Sequence, residues 1–164
     1  MRVIIKIGDV FQVILSDGTK VFFQYIGKDS CYMNTCVIRI FKRRYQPNAT
    51  PLIEEIIKDD IVYYLHTFIR GGVKYGLWTK YGSSKETGSN KIWFKDSYDY
   101  GKYPGQKIVS KDWVVWKLNG HIKDVGALPA RFFQAYIGLV FDPFNVLEMI
   151  ESGSFDLKYY PLYK

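Results

Sequence analysis

Histidine and cysteine are scarce in this sequence, with two of each among 164 residues. That scarcity removes most familiar catalytic centres. His66 sits inside an apolar run and His121 beside a turn, neither with a nucleophile or carboxylate at a recognisable spacing. No catalytic residue is assigned, and the chain is not expected to be an enzyme. Cys31 and Cys36 have no second cysteine pair or histidine cluster nearby, so no metal ligand and no cofactor is assigned. On one extended strand the two thiols would stand roughly 16 Å apart at ~3.3 Å per residue, beyond disulfide reach. Only a tight turn at Met33-Asn34 would bring them together. The stretch from Gly82 to Asn90 carries two glycines and Lys85 but lacks the Gly-Lys-Ser/Thr ending of a phosphate loop, and reads as an exposed loop. Long apolar runs are missing too. No stretch approaches the ~18 residues of a membrane span, and Lys6 interrupts Val3-Ile4-Ile5 too early for a secretory signal core. The expectation is a cytoplasmic protein with no membrane span.

Aromatic side chains and positive charge are what the chain has in quantity. With 14 Tyr and 11 Phe inside a hydrophobic fraction of 48%, packed β structure is favoured over disorder. Residues 1–164 read as one domain, large enough to bury roughly 70% of the surface its unfolded chain would expose. The net charge is +7, and it is concentrated early: residues 1–50 hold eight Lys or Arg against three Asp or Glu, whereas residues 51–100 balance seven against seven. A basic surface suits an acidic protein partner, nucleic acid or an anionic membrane surface, and charge alone does not choose among them.

Val3 to Arg44 reads as a three-stranded antiparallel meander. Ser16-Asp17-Gly18-Thr19 supplies the first turn and Gly27-Lys28-Asp29-Ser30 the second, with the third strand running from Cys31 to Phe41. Apolar residues on adjacent positions, such as Val21-Phe22-Phe23, imply strands covered on both sides. Thr50 and Pro51 predict a short helix near 51–59, with Leu52, Ile53, Ile56 and Ile57 inward. Ile61 to Ile69 reads as a strand ended by Arg70-Gly71-Gly72, and Lys91 to Lys95 as a brief one. Asn119-Gly120 joins strands over Asp112–Leu118 and His121–Val125. The run Phe132 to Phe141, with Gly138 inside it, predicts a central strand that bends or accepts a close neighbour. Asp142 as cap, Pro143 at the first position and Gly153 as terminator predict a helix near 143–152, inward through Val146, Leu147 and Ile150. The fold class is therefore α+β and mainly β: a strongly twisted antiparallel sheet or partly open barrel, started by the meander, with these two helices.

Two groups of residues are candidates for partner binding. Lys42, Arg43, Arg44 and Tyr45 form a basic run after the meander. Tyr98, Tyr100 and Tyr103 lie in Asp96–Gly105, where tyrosines interleaved with small and charged residues outside any periodic element suit a binding loop. A nucleic-acid-binding small β barrel would use the basic run for phosphate, with Phe41, Tyr45 or the loop tyrosines for stacking. A protein-binding module would use the tyrosines as anchors. The tail Tyr159-Tyr160-Pro161-Leu162-Tyr163 either docks on the domain or meets a partner.

The opening Ile5-Lys6-Ile7-Gly8-Asp9-Val10-Phe11, with Asp17-Gly18 at the first turn and Phe23-Gln24-Tyr25-Ile26-Gly27 beyond it, resembles the start of bacterial immunity proteins grouped as immunity protein family 26. The likeness covers the first quarter of the chain. Gly138-Leu139-Val140-Phe141-Asp142-Pro143 is also similar to a segment of related uncharacterised bacterial proteins. The resemblance implies a mostly β cytoplasmic protein that binds and neutralises a cognate toxin by contact, and it carries no catalytic residue across. Immunity proteins against nucleases are often acidic because they cover a basic cleft. This chain is basic, so the implied toxin presents an acidic surface or is not a nuclease.

Overall fold

Val21 to Gly27 is buried at every position, the pattern of a strand with both faces covered. These residues form the middle of β2 (Lys20–Asp29), held antiparallel between β1 (Asp9–Ile14) and β3 (Thr35–Phe41), with Phe23 opposite both Phe11 and Ile40. The computed structural model describes residues 3–154 and 157–164; residues 1, 2, 155 and 156 lie outside them. The meander is present as expected, but its second turn falls later. β2 runs on through Lys28 and Asp29 because a bulge between Tyr25 and Gly27 resets the register, and the chain reverses over residues 30–34 with Asn34 in a left-handed conformation. Cys31 thus lies in the turn and Cys36 in β3, and both are free thiols.

The meander extends into a six-stranded sheet through β4 (Ile61–Thr67) beside β3, β5 (Thr79–Ser83) beside β1, and the short β10 (Val140–Phe141), parallel to β4. A second sheet contains β6 (Trp93–Ser97), β7 (Trp113–Lys117), β8 (Lys123–Gly126) and β9 (Tyr136–Ile137), in the order β8-β7-β6-β9. The chain is mainly β with a C-terminal helix, as expected, and its two mixed sheets do not close into a barrel.

Three different covers protect the larger sheet. On one face, Phe11, Phe23, Ile38, Ile40 and Leu65 pack under α2 (Ile69–Lys74) and α3 (Pro143–Ser152), with Trp78 wedged among them. On the other face Val10, Phe22, Phe41 and Tyr45 meet the short α1 (Ile53–Ile56), while Ile26 and Val37 meet Phe94, Val114 and Trp116 of the smaller sheet. Each fully buried Phe contributes about 1.5–3 kcal/mol by transfer from water. Between these two zones the cover is polar. Arg39 Nε donates to Gln24 Oε1 at 2.9 Å and Nη2 donates to the Glu86 carbonyl at 3.0 Å, which ties the expected exposed loop after β5 down onto the sheet.

Several expected elements take other forms. The first helix spans only four residues; Leu52 is its cap and is exposed, and Glu55 reaches back to the Leu52 N–H, so Thr50 and Pro51 lie before it. Arg70-Gly71-Gly72 belongs to α2 rather than to a turn, and residue 72 is glycine because a side chain there would overlap the Trp78 ring. The run Phe132–Phe141 is no central strand. It holds one 3-10 turn (Ala130–Phe132) and then splits into β9 and β10, at the edges of different sheets. Gly138 is the corner: its N–H donates to the Lys95 carbonyl, and the Trp116 ring occupies the space of a Cβ. In α3 the Asp142 side chain accepts from the Phe144 N–H and Gly153 ends the helix left-handed, as the sequence predicts, but Met149 replaces Leu147 on the buried stripe with Val146 and Ile150.

Candidate functional site

The β6–β7 connection, residues 98–112, is a long loop with a hydrogen-bonded base. Ser97 Oγ–H donates to Ser110 Oγ at 2.7 Å, and Ser110 Oγ–H donates to Asp99 Oδ2 at 2.7 Å. The Asp99 N–H donates to Ser97 Oγ and the Asp112 N–H to Ser110 Oγ, so two buried hydroxyls lock both stems. The Ser110 hydroxyl beside Asp99 holds that carboxyl below the usual carboxylate range. Lys102 bonds the same carboxylate at 3.3 Å. The C-terminal tail forms the outer buttress, as Ser110 N–H donates to the Leu162 carbonyl and Leu162 N–H to the Ile108 carbonyl.

On this base Tyr98, Tyr100 and Tyr103 remain 48%, 41% and 45% exposed. The Tyr100 ring stands 5.3 Å from Tyr160, which is buried and itself 5.9 Å from Trp113, so the aromatic surface continues into the core. Val109, Tyr159 and Leu162 are exposed beside it, with Lys102, Lys107 and Lys111 on the loop and Lys158 and Lys164 on the tail. The result is an apolar, tyrosine-rich surface whose fringe carries these five lysines together with Asp99, Asp112 and Asp124, the last against Tyr98. The tail docks on the domain through Tyr160 and the Leu162 bridge to Val109, while Tyr159 and Leu162 are each 40% exposed.

The basic run is placed elsewhere, at the far end of β3, and is largely engaged in the fold. Arg44 Nη2 donates to the carbonyls of Ile150 and Glu151, capping the C-terminal end of α3. Arg43 lies 5.0 Å over the Tyr45 ring and its N–H donates to Asp59 Oδ2. Tyr45 is only 8% exposed and packs edge-on against Phe22, and Phe41 is buried as well, so neither presents a ring for stacking. Lys42, Arg43 and Arg44 are all exposed, Arg44 with its guanidinium committed to the Ile150 and Glu151 carbonyls. The two candidate groups thus belong to different sheets.

His66 is fully buried between the sheets, where its Nε2 lies 2.8 Å from Asp29 Oδ2. An ionised carboxylate only accepts, so Nε2 carries the proton. Trp116 Nε1–H donates to the same oxygen at 2.8 Å, and the His66 ring lies 4.4 Å from Phe94. This arrangement joins β2 and β4 to the smaller sheet, out of reach of any substrate. His121 is exposed beside its turn. Sequence reasoning missed Ser97 and Ser110, whose pairing depends on the loop closing, and also Lys95 and Asp96, charged neighbours inside an apolar strand. That last pattern was a readable signal, since a charge within a strand rich in aromatics has to be buried or to line a cavity.

Among the described residues no group of three or more His, Cys, Asp or Glu is placed to hold a metal ion. Among the same residues no helix is long and apolar enough to cross a membrane. Comparison of the chain with protein-family models, with curated proteins and with solved structures gives no match in any of the three.

Proposed function

We propose that this chain is a cytoplasmic immunity protein that binds a cognate toxin bearing an acidic surface and neutralises it by contact, without catalysis of its own. The observation that carries the reading is the tyrosine loop: three exposed tyrosines on a base locked by the Ser97, Ser110 and Asp99 hydrogen bonds. Tyrosine offers large amphipathic contact area with few rotatable bonds, and a loop ordered before binding loses little entropy on association. Five lysines against three carboxylates around the loop and tail support an acidic partner, since an excess of one sign at a rim steers an oppositely charged surface into encounter. The resemblance of Ile5–Phe11 and Phe23–Gly27 to family 26 immunity proteins supports the same class.

The test is direct binding to the protein encoded beside this gene, by surface plasmon resonance, with growth rescue of cells expressing that protein. Tyr100→Ala is expected to cost more than about 1 kcal/mol of binding, mainly through faster dissociation. Charge reversal at Lys102 and Lys107 is expected to slow association with little change in dissociation. A neighbouring toxin that binds and is neutralised equally well by Tyr98→Ala, Tyr100→Ala and Tyr103→Ala combined would place its interface elsewhere on the molecule.

A further inference from the structure

A second region combines a cavity with an ammonium that pairs with no carboxylate among the described residues. Between β4 and β9 lies a cavity of about 350 Å³, with Leu65, Ile137 and Met149 on its apolar wall and Tyr64, Gln134 and Lys95 on its polar side. That volume falls in the range of small-molecule sites, which pair apolar walls with a few convergent polar groups. Lys95 is 6% exposed. Its Nζ donates to the Phe133 carbonyl at 2.6 Å and stands 4.9 Å from the centre of the Tyr163 ring. An ammonium carries three N–H donors and the carbonyl takes one. Among the described residues Lys95 forms no ion pair, although Asp9 and Asp99 each pair with another lysine.

A buried cation without a counter-ion is disfavoured, and burial draws the Lys95 ammonium below its ordinary pKa. An anion entering the cavity would relieve that penalty in surroundings of low polarity, where the pairing is strong. A single ammonium matches a single negative charge. The apolar wall matches a hydrocarbon or aromatic body rather than the hydrated oxygens of a phosphate.

We propose that this cavity binds a small monocarboxylate with an apolar body, its carboxylate on Lys95 Nζ and its body along Leu65, Ile137 and Met149. The site shares no residue with the tyrosine loop, so it stands or falls independently of the toxin-binding reading.

The experiment is isothermal titration of the intact chain with sodium octanoate and sodium benzoate, with 1-octanol and octylamine as uncharged-head and cationic controls. Saturable binding of at least one carboxylate at one site per chain is expected. Lys95→Met and Ala135→Phe should each weaken it about tenfold or more, the second by adding bulk to the cavity wall while leaving the ammonium in place. Absence of saturable heat with both carboxylates at millimolar concentration overturns the proposal. So does octanol or octylamine binding as tightly as octanoate, or carboxylate affinity unchanged in Lys95→Met. If Lys95→Met lacks the circular dichroism spectrum of the parent, Ala135→Phe decides alone, and unchanged affinity in it also overturns the proposal.

Discussion

Asp29 and Asp96 are carboxylates drawn in opposite directions by their surroundings. Burial alone would push the Asp29 carboxyl up, but hydrogen bonds from His66 and Trp116 outweigh it and hold the group below its ordinary value of 3.8. A lowered carboxylate gives stability that is complete above the unfolded value and is lost as pH falls through the folded one, so Asp29 drives acid unfolding below about pH 3.8. Burial pushes Asp96 up to about 6, against the Ser97 N–H and the Tyr160 hydroxyl, which act the other way. The folded state there holds a proton that the unfolded chain releases, so stability declines as pH rises from about 3.8 to about 6. The decline is on the order of 2–3 kcal/mol. Asp96→Asn is expected to flatten that limb and raise stability at pH 7 to 8, measured by urea unfolding across pH. Asp29→Ala, by contrast, is expected to cost about 3–5 kcal/mol at neutral pH, as when one partner of a buried pair is removed. A loss within experimental error would mean that the His66 and Trp116 bonds contribute nothing to holding the sheets together.

Elements whose signals are local were legible in the sequence, and those that depend on a distant ring were not. The first hairpin, the Asn119-Gly120 turn and the start of α3 all formed where turn or cap residues stood within four positions of one another. Asp142→Ala should therefore cost about 1 kcal/mol through the lost Phe144 N–H bond, read by thermal or denaturant unfolding. Ile150→Ala should cost about 2–5 kcal/mol and Leu147→Ala clearly less, because the helix is rotated to bury Met149 instead. Gly71-Gly72 and Gly138 were ambiguous for the opposite reason. Gly72 sits against the indole of Trp78, six residues on, once the chain has turned back, Gly71 against Pro143 at the start of α3, and Gly138 against the indole of Trp116 from β7, and no pattern at the glycines reveals these neighbours. Phe132–Phe141 misled because a mostly apolar run marks a central strand and a half-buried crossing between two sheets equally well. Gly138→Val should displace the Trp116 ring and cost more than about 1 kcal/mol, as overpacking does. The candidate site was half legible: the three loop tyrosines are exposed, whereas Tyr45 became core because it bridges to Lys20 across the sheet edge.

At the scale of the whole molecule, the net charge of +7 leaves nucleic acid as the competing partner, and salt dependence separates it from an acidic protein. Each phosphate neutralised by a cation releases a counter-ion, so a site using Lys42, Arg43 and Arg44 would lose affinity with log salt at a slope of roughly −2 to −3. All three cations of the run are exposed, but the Arg44 guanidinium is engaged with the end of α3 and Tyr45 is in the core, which leaves two uncommitted cations and no stacking ring there. The expectation is therefore weak oligonucleotide binding at physiological ionic strength, barely changed when Lys42 and Arg43 are both replaced by Ala. Replacing Arg44 should act differently, lowering stability by about 1 kcal/mol through the uncapped carbonyls of Ile150 and Glu151. Fluorescence anisotropy with random single- and double-stranded oligonucleotides over a salt series measures the first, and urea unfolding the second. Micromolar binding with a steep salt slope, lost in the Lys42 and Arg43 double variant while stability is retained, would move the assignment from a toxin partner to nucleic acid.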